Sequence, residues 1–269
     1  MALQDRKKSS KALAAELREA QGIVLSARSV RRRLVEKDLH GRKARRKPLL
    51  TERQKQLRLS WAKTYKDWTA EDWAKVIWTD ESNVELFGQP GTRYVRRRPG
   101  EAYREECLIP TVKFGGGSIM IWGCMSASGV GEVFLCEGRM TSRRYLDMLE
   151  EVLEPSILQL VDTEQGNYFF QQDNAPCHKS REAMHWFEEN GVNLLSWPPQ
   201  SPDLSPIENL WHIVKSKIAQ HHCASKTALK EKIVEEWNAI PAATCLKLVS
   251  SMPRRVKLVI KAGGGSIKY

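Results

Sequence analysis

The chain has no C-x-x-C pair, no apolar run long enough to cross a bilayer, and few acidic side chains in its first fifty residues. The six cysteines, Cys107, Cys124, Cys136, Cys177, Cys223 and Cys245, are scattered. That scatter fits reduced thiols better than a disulfide frame. A membrane-spanning helix needs about 18 apolar residues in a row, and no stretch reaches that. Arg6, Lys7 and Lys8 are followed by no apolar core of the kind a secretory leader carries. Gly115, Gly116 and Gly117 precede neither a Lys-Ser/Thr pair nor a helix start, so a nucleotide-binding P-loop is not expected and a flexible turn is. His178 beside Cys177, and the later group His221, His222 and Cys223, fit no zinc-finger spacing and are expected in packing or surface roles.

What is present is positive charge, and it is concentrated. Residues 1–50 hold 15 Lys/Arg against 5 Asp/Glu, which is +10 of the net +11 of the 269-residue chain. A block that basic points to a polyanion, most simply nucleic acid; on charge alone a ribosomal surface or an acidic membrane fits as well. Lys11 to Gln21 has helix propensity, with Ser9 or Ser10 as cap and Gly22 as stop. Ser26 is placed to cap a second helix, Ala27 to Asp38, with Val30, Leu34 and Val35 on its inner face. Arg28, Arg31, Arg32 and Arg33 crowd its start and outer side, as in a groove-reading second helix or a merely solvated basic helix. A polybasic run follows, with Arg42, Lys43, Arg45, Arg46 and Lys47 before Pro48. It suits phosphate contacts, a nuclear address or a solvated linker. The expected division is a DNA-binding segment over 1–50, a helical linker over 51–70 with Thr51 and Gln54 as a capping box, and a main domain over 71–269.

In the main domain, strands are expected at Ala74–Trp78, Asn83–Phe87, Thr92–Arg96, Ser118–Met125 and Glu132–Cys136, then at Tyr168–Gln172 and Val192–Leu195. Helices are expected at Ser142–Leu160 with a break before Pro155, at Lys179–Glu189, and through most of the chain after Pro206. Residues 87–118 form a basic insertion longer than an ordinary connection, placed to bind DNA or a second subunit. Hairpin-like strands followed by alternating helix and strand suit a mixed α/β sheet of the ribonuclease-H type, five-stranded with helices on both sides. Trp122, Trp186, Trp211 and Trp237 are expected in its core.

Three carboxylates carry the chemistry. Asp80 ends the apolar run KVIWTD, and Asp173 ends NYFFQQD. Each lies at the carboxyl end of a strand, where open α/β sheets gather ligands. Glu208 lies in the first turn of a helix that follows the stiff run WPPQSPDLSP. Ser205 and Glu208 also spell S-x-x-E, so a capping box competes with metal ligation there. Glu81 should point to the opposite strand face from Asp80, and Asp203 reads as a turn residue; both are expected to be structural. Phosphodiester chemistry is served by two Mg²⁺ or Mn²⁺ ions roughly 4 Å apart. Such ions want hard oxygen ligands at about 2.1 Å. Asp80 is the expected bridge between the ions, with Asp173 and Glu208 flanking.

The motifs WTDESNVELFG, TVKFGGGSIMIWGC, QQDNAPCH and WPPQSPDLSPIENLW, in that order, strongly resemble the catalytic domain of Tc/mariner DNA transposases, and the 34 residues between Asp173 and Glu208 resemble the Tc branch. The resemblance implies a two-metal nuclease and strand transferase of the nucleus. It implies binding of double-stranded terminal inverted repeats, cleavage of element ends and joining to a TA target by a homodimer, with no nucleotide cofactor and no membrane. It makes the 87–118 insertion a clamp loop and Leu13–Leu39 part of a second helix-turn-helix, inside which the chain begins. A non-catalytic DNA-binding protein derived from a truncated transposase is the alternative. A nuclease acting on RNA–DNA hybrids is a third reading, disfavoured by the basic insertion and the helix-turn-helix segment.

Overall fold

The computed structural model describes residues 1–42, 47–86, 96–104, 107–108, 117–161, 168–221 and 223–269. The chain forms two compact units, Met1–Lys47 and Pro48–Tyr269.

The first unit holds α1 (Ser10–Gln21) and α2 (Ala27–Val35). Ser9 accepts from Ala12 N–H at the start of α1, and Gly22 closes it at φ +67°, where a side chain would be strained. Ser26 caps α2 through Ser29 N–H. Leu13 and Val30 are the buried residues of these two helices. The second helix ends at Val35, short of the expected Asp38. Leu34 O accepts from both Lys37 N–H and Leu39 N–H, and Asp38 sits at φ +55°, so the chain turns away. Val35, expected on the inner face, is exposed. Arg28, Arg31, Arg32, Arg33, Arg42 and Lys47 are exposed, while Lys43, Arg45 and Arg46 lie outside the described residues.

The second unit opens with α3 (Glu52–Thr64), whose Thr51–Gln54 capping box is formed on both sides. Expected as a linker, this helix is instead an integral wall of the unit, packed against the last helix of the chain. After the short α4 (Ala70–Ala74) comes the sheet: β1 (Val76–Glu85), β2 (Ser118–Ser126), β3 (Gly129–Cys136), β4 (Phe169–Gln171) and β5 (Asn193–Leu194). Its order is β3-β2-β1-β4-β5, with β1, β2 and β3 antiparallel and β4 and β5 parallel to β1. The strands expected separately at Ala74–Trp78 and Asn83–Phe87 are one strand, paired without interruption to β2 from Trp78 to Glu85. A run of polar residues interrupts its hydrophobicity but not its hydrogen bonding. Residues 92–95 of the expected Thr92–Arg96 strand lie outside the described residues, and Arg96 is not in a strand. Leu86 N–H donates to Gly117 O at 3.0 Å, closing the base of the 87–118 insertion.

The period of two along β1 sends alternate residues into two cores. Val76, Trp78 and Val84 face one, and Ile77 faces the other. The second core is covered by α5 (Ser142–Met148), a π-helical turn at Leu149–Leu153, α6 (Glu154–Leu160) and α7 (Arg181–Glu189). The π turn is the break expected before Pro155: that proline has no N–H to offer the ladder. The first core is covered by α8 (Ile207–Ile218), α9 (Lys226–Asn238), α10 (Ala242–Val249) and α11 (Met252–Lys261). Trp122, Trp211 and Trp237 are buried as expected; Trp186 is only partly so.

Two buried guanidiniums fix the Pro-rich segment. Arg58 on α3 is fully buried and grips Asp203 with two hydrogen bonds of 2.9 Å each. It also donates to Ser201 Oγ and to Gly264 O, while Ile267 N–H completes Asp203 at 2.7 Å. Asp203 is thus the centre of a buried ion pair, beyond the turn role expected of it. Gly264, at φ +83°, permits this closure: a Cβ there would lie 1.9 Å from Lys55 O. Arg255 on α11 donates to the carbonyls of Asp203 and Ser205 and to Asn209 Oδ1, under the ring of Tyr269.

Removing one partner of such a buried pair strands the other charge. Arg58→Met is therefore expected to cost about 3–5 kcal/mol, read as a lower urea midpoint of the full chain. Arg58→Met with Asp203→Leu should recover part of the loss. Salt should change neither result much, because buried pairs are weakly screened.

Candidate active site

Asp80, Asp173 and Glu208 line one cleft of about 470 Å³, together with Thr79, Gln171, Asn174 and the Trp197–Pro202 segment. All three expected carboxylates are thereby brought to one place. Three elements deliver them. Asp80 lies mid-way along β1, on the face covered by α8. Asp173 lies two residues beyond β4, the parallel neighbour of β1. Thr79 Oγ1 ties the two strands by donating to Gln171 O at 2.8 Å. Glu208 is in the first turn of α8.

The capping box open to Ser205 and Glu208 does not form. Pro206 is the N-cap residue, no side chain caps α8, and buried Ser205 Oγ has no partner among the described residues. The Ser205 carbonyl is held by Arg255, which fixes the backbone there.

Asp80 owes its setting to a glycine. Its cross-strand partner on β2 is Gly123. Over that bare spot lie the indoles of Trp211 and Trp237, stacked with centroids 4.9 Å apart. From there Trp211 Nε1–H donates to Asp80 Oδ2 at 3.1 Å. Burial pushes the Asp80 carboxyl well above its ordinary range, and the charges of Glu208 and Glu81 push it the same way. The nearby Lys215 on α8 is half-buried; burial lowers its pKa, against the raising pull of Glu208, Asp80 and Glu85.

Asp173 sits in a contrasting environment. Its side chain is 55% exposed, and its Oδ1 accepts from Ala175 N–H at 2.8 Å. His178 Nδ1 lies 2.8 Å from the same oxygen. That contact is an ion pair, because the ring N–H is not aligned with the oxygen for a hydrogen bond. Burial would raise the Asp173 pKa, but His178 and the Ala175 N–H outweigh it and hold the carboxyl below its ordinary range.

His178 is itself 2% exposed. Its Nε2–H donates to Glu81 Oε1 at 3.1 Å. Burial works to lower its pKa, yet the two carboxylates raise it to about 10. Glu81 does lie on the strand face opposite Asp80, as its position in β1 requires, but it is joined to the site through this histidine. Sequence reasoning left both residues as structural; nothing local marks a pair 97 positions apart.

The donor set is one that hard divalent cations fit. It offers carboxylate oxygens from three elements in one cleft, and among the described residues the hydrogen-bond donor to the Asp80 carboxylate is an indole N–H.

The strand order and the acidic cleft define a ribonuclease-H-like endonuclease domain. A family model described as DDE superfamily endonuclease matches residues 75–230. A second, described as Transposase, matches residues 1–67. The Tc1 transposable-element transposase of Caenorhabditis elegans is 41% identical over 246 residues, covering 91% of this chain and 89% of the relative. The Tcb2 transposase of Caenorhabditis briggsae is 36% identical over 267 residues, 99% of this chain and 96% of the relative. A crystal structure of the Mos1 mariner paired-end complex with Mn shares the fold, with TM-score 0.83 at 21% identity over 99% of this chain and 78% of that one. The chain belongs to the Tc1/mariner-type transposases, metal-dependent DNA-cleaving enzymes of cut-and-paste transposition.

An added methyl group at position 123 tests the packing that aims Trp211. Its Cβ would lie 2.8 Å from Trp237 and 2.9 Å from Trp211. Gly123→Ala is expected to cost about 1–3 kcal/mol and to shift tryptophan emission. A urea titration followed by fluorescence reads both.

Proposed function

We propose that Asp80, Asp173 and Glu208 are the catalytic carboxylates, holding two Mg²⁺ or Mn²⁺ ions for DNA strand cleavage and strand transfer. The observation that carries this reading is the meeting of the three in one cleft. When bound, such ions activate the attacking oxygen and stabilise the departing one. Asp80 stands between the other two in role: it is the carboxylate most in need of a cation, since it is buried beside Glu208 and Glu81. Glu208 is carried by a helix start that Arg255 and Pro206 hold still. Asp173 supplies the exposed edge, where a DNA strand has access. A cleft this acidic repels a phosphodiester until cations are in place, so metal and DNA are expected to bind with positive coupling.

The partner is double-stranded DNA bearing the element's terminal inverted repeats, with TA as target and a homodimer as the working form. The likeness to the Mos1 paired-end complexes and the helix-turn-helix match support it. Arg28, Arg31, Arg32 and Arg33 on α2 project into solvent and are assigned to phosphate and groove contacts, with Arg42, Lys43, Arg45, Arg46 and Lys47 following the backbone. The same basic run is assigned as a nuclear address, placing the protein with its substrate in the nucleus.

The test is cleavage of paired element ends by the purified chain, with and without Mn²⁺. Asp173→Asn should reduce cutting by at least about 1,000-fold, as for loss of a transition-state charge stabiliser, while DNA retention in gel shift is unchanged. Retained cutting would remove Asp173 from the mechanism. In a separate measurement, replacing Arg31 and Arg32 by Ala should flatten the slope of log affinity against log salt by about 0.9 per lost phosphate contact.

A further inference from the structure

We propose that His178, anchored by Glu81, is a positioning residue that fixes the Asp173 carboxylate so that Oδ2 faces the cations. The inference rests on the catalytic assignment of Asp173 above.

Asp173 is loosely packed, with 55% of its side chain exposed. An exposed aspartate rotates freely about χ1 and χ2 unless something holds it. Among the described residues two contacts do, and both fall on Oδ1: the Ala175 N–H and His178 Nδ1, each at 2.8 Å. Oδ2 is left as the oxygen open to an incoming cation. The Ala175 contact is an Asx turn within the same loop and moves with it. His178 is different, because it is fixed to the rest of the domain. Its Nε2–H is held by Glu81 on β1, its ring lies 4.3 Å from the Tyr145 ring on α5, and its carbonyl accepts from Gln172 Nε2. The Tyr145 hydroxyl donates to Gln172 Oε1, closing the ring of contacts. Glu81 in turn is set by the ten-residue strand that also carries Asp80. One strand therefore places two of the site's carboxylates, Asp80 directly and Asp173 through a buried imidazole.

A plain packing role for the Glu81–His178 pair predicts that any polar replacement of similar size works equally well. Positioning predicts that the two ring nitrogens are not equivalent. Asparagine puts its amide nitrogen near the place of Nδ1, and glutamine puts its own near Nε2. His178→Asn thus keeps a polar nitrogen beside Asp173, without the charge, and loses Glu81; His178→Gln keeps Glu81 and loses Asp173.

The probe is Mn²⁺ alone, titrated into the full chain without DNA and followed by electron paramagnetic resonance, with thermal unfolding in parallel. His178→Gln should weaken Mn²⁺ binding about 10- to 100-fold, the usual effect of losing a group that orients a metal ligand. His178→Asn, which keeps a nitrogen beside Asp173 but gives up the Glu81 anchor, should weaken it too, though clearly less than His178→Gln. Equal affinities for both variants and the parent would overturn the proposal, and so would equal losses in both. If neither variant folds, Glu81→Ala decides: removal of the anchor should weaken Mn²⁺ binding in the same direction, and an unchanged affinity overturns the idea. Asp173→Asn is the control. If it binds Mn²⁺ and cuts DNA like the parent, the catalytic assignment has failed; if it loses both while His178→Gln does not, only the positioning role has.

Discussion

The loop that carries the third carboxylate to the others is held by two arginines that water never reaches. Arg58 and Arg255 are both fully buried, and Asp203 lies between them, its side chain given to one and its carbonyl to the other. Buried guanidiniums are expensive unless every N–H is used. Here the carbonyls of Gln200, Asp203, Ser205, Gly264 and Gly265 are drawn in as acceptors. Satisfying these donors gives the segment 197–206 a single conformation, and four prolines reduce the alternatives it had before folding. Glu208 follows two residues after Pro206, so its place over β1 is decided by charges that never enter the cleft.

The cleft itself stores unfavourable electrostatics. Asp80 is desolvated and faces like charge from Glu208 and Glu81. The domain tolerates this because the surrounding packing is dense: the Trp211–Trp237 stack lies on Gly123 and leaves the indole N–H aimed at Asp80. Asp173 is tuned the opposite way by His178. An aspartate inside β1 and another just beyond β4 thus enter with their pKa values pushed in opposite directions. That separation marks functional carboxylates more often than structural ones.

How much of this was legible depends on the range of the interaction. Strand and helix caps are local, and Ser9, Ser26 and Thr51 could be read at once. Asp173 lies just past a strand end, as an acid closing an apolar strand suggests, whereas Asp80, expected at a strand end too, lies mid-way along β1, whose polar half stays paired to β2. Ser205 misled, because its hydroxyl has the right spacing for a box whose geometry is pre-empted by Arg255, 50 residues away. Arg58 carries no local mark of its burial; its partner is 145 residues on. The polar stretch inside β1 looked like a break, since its partner strand β2 lies beyond a long insertion. Each miss is a case of tertiary contact overriding a local pattern.

Glu81 is the instructive case. Strand parity correctly sends it away from Asp80, and from that it follows that Glu81 cannot join the cleft from its own face. The step from there to a structural role fails at the end of a strand. At the carboxyl end of β4 the sheet stops, and a side chain beyond the edge is reachable from both layers. Asp173 occupies that point: it lines the cleft on the α8 side, yet touches His178, which packs against Tyr145 and reaches Glu81 on the other. Parity therefore separates Asp80 and Glu81 in space, while His178 still links Glu81 to Asp173. The same geometry explains why a site of this kind sits where parallel strands end, since only there can one rigid strand support a carboxylate from above and below the sheet.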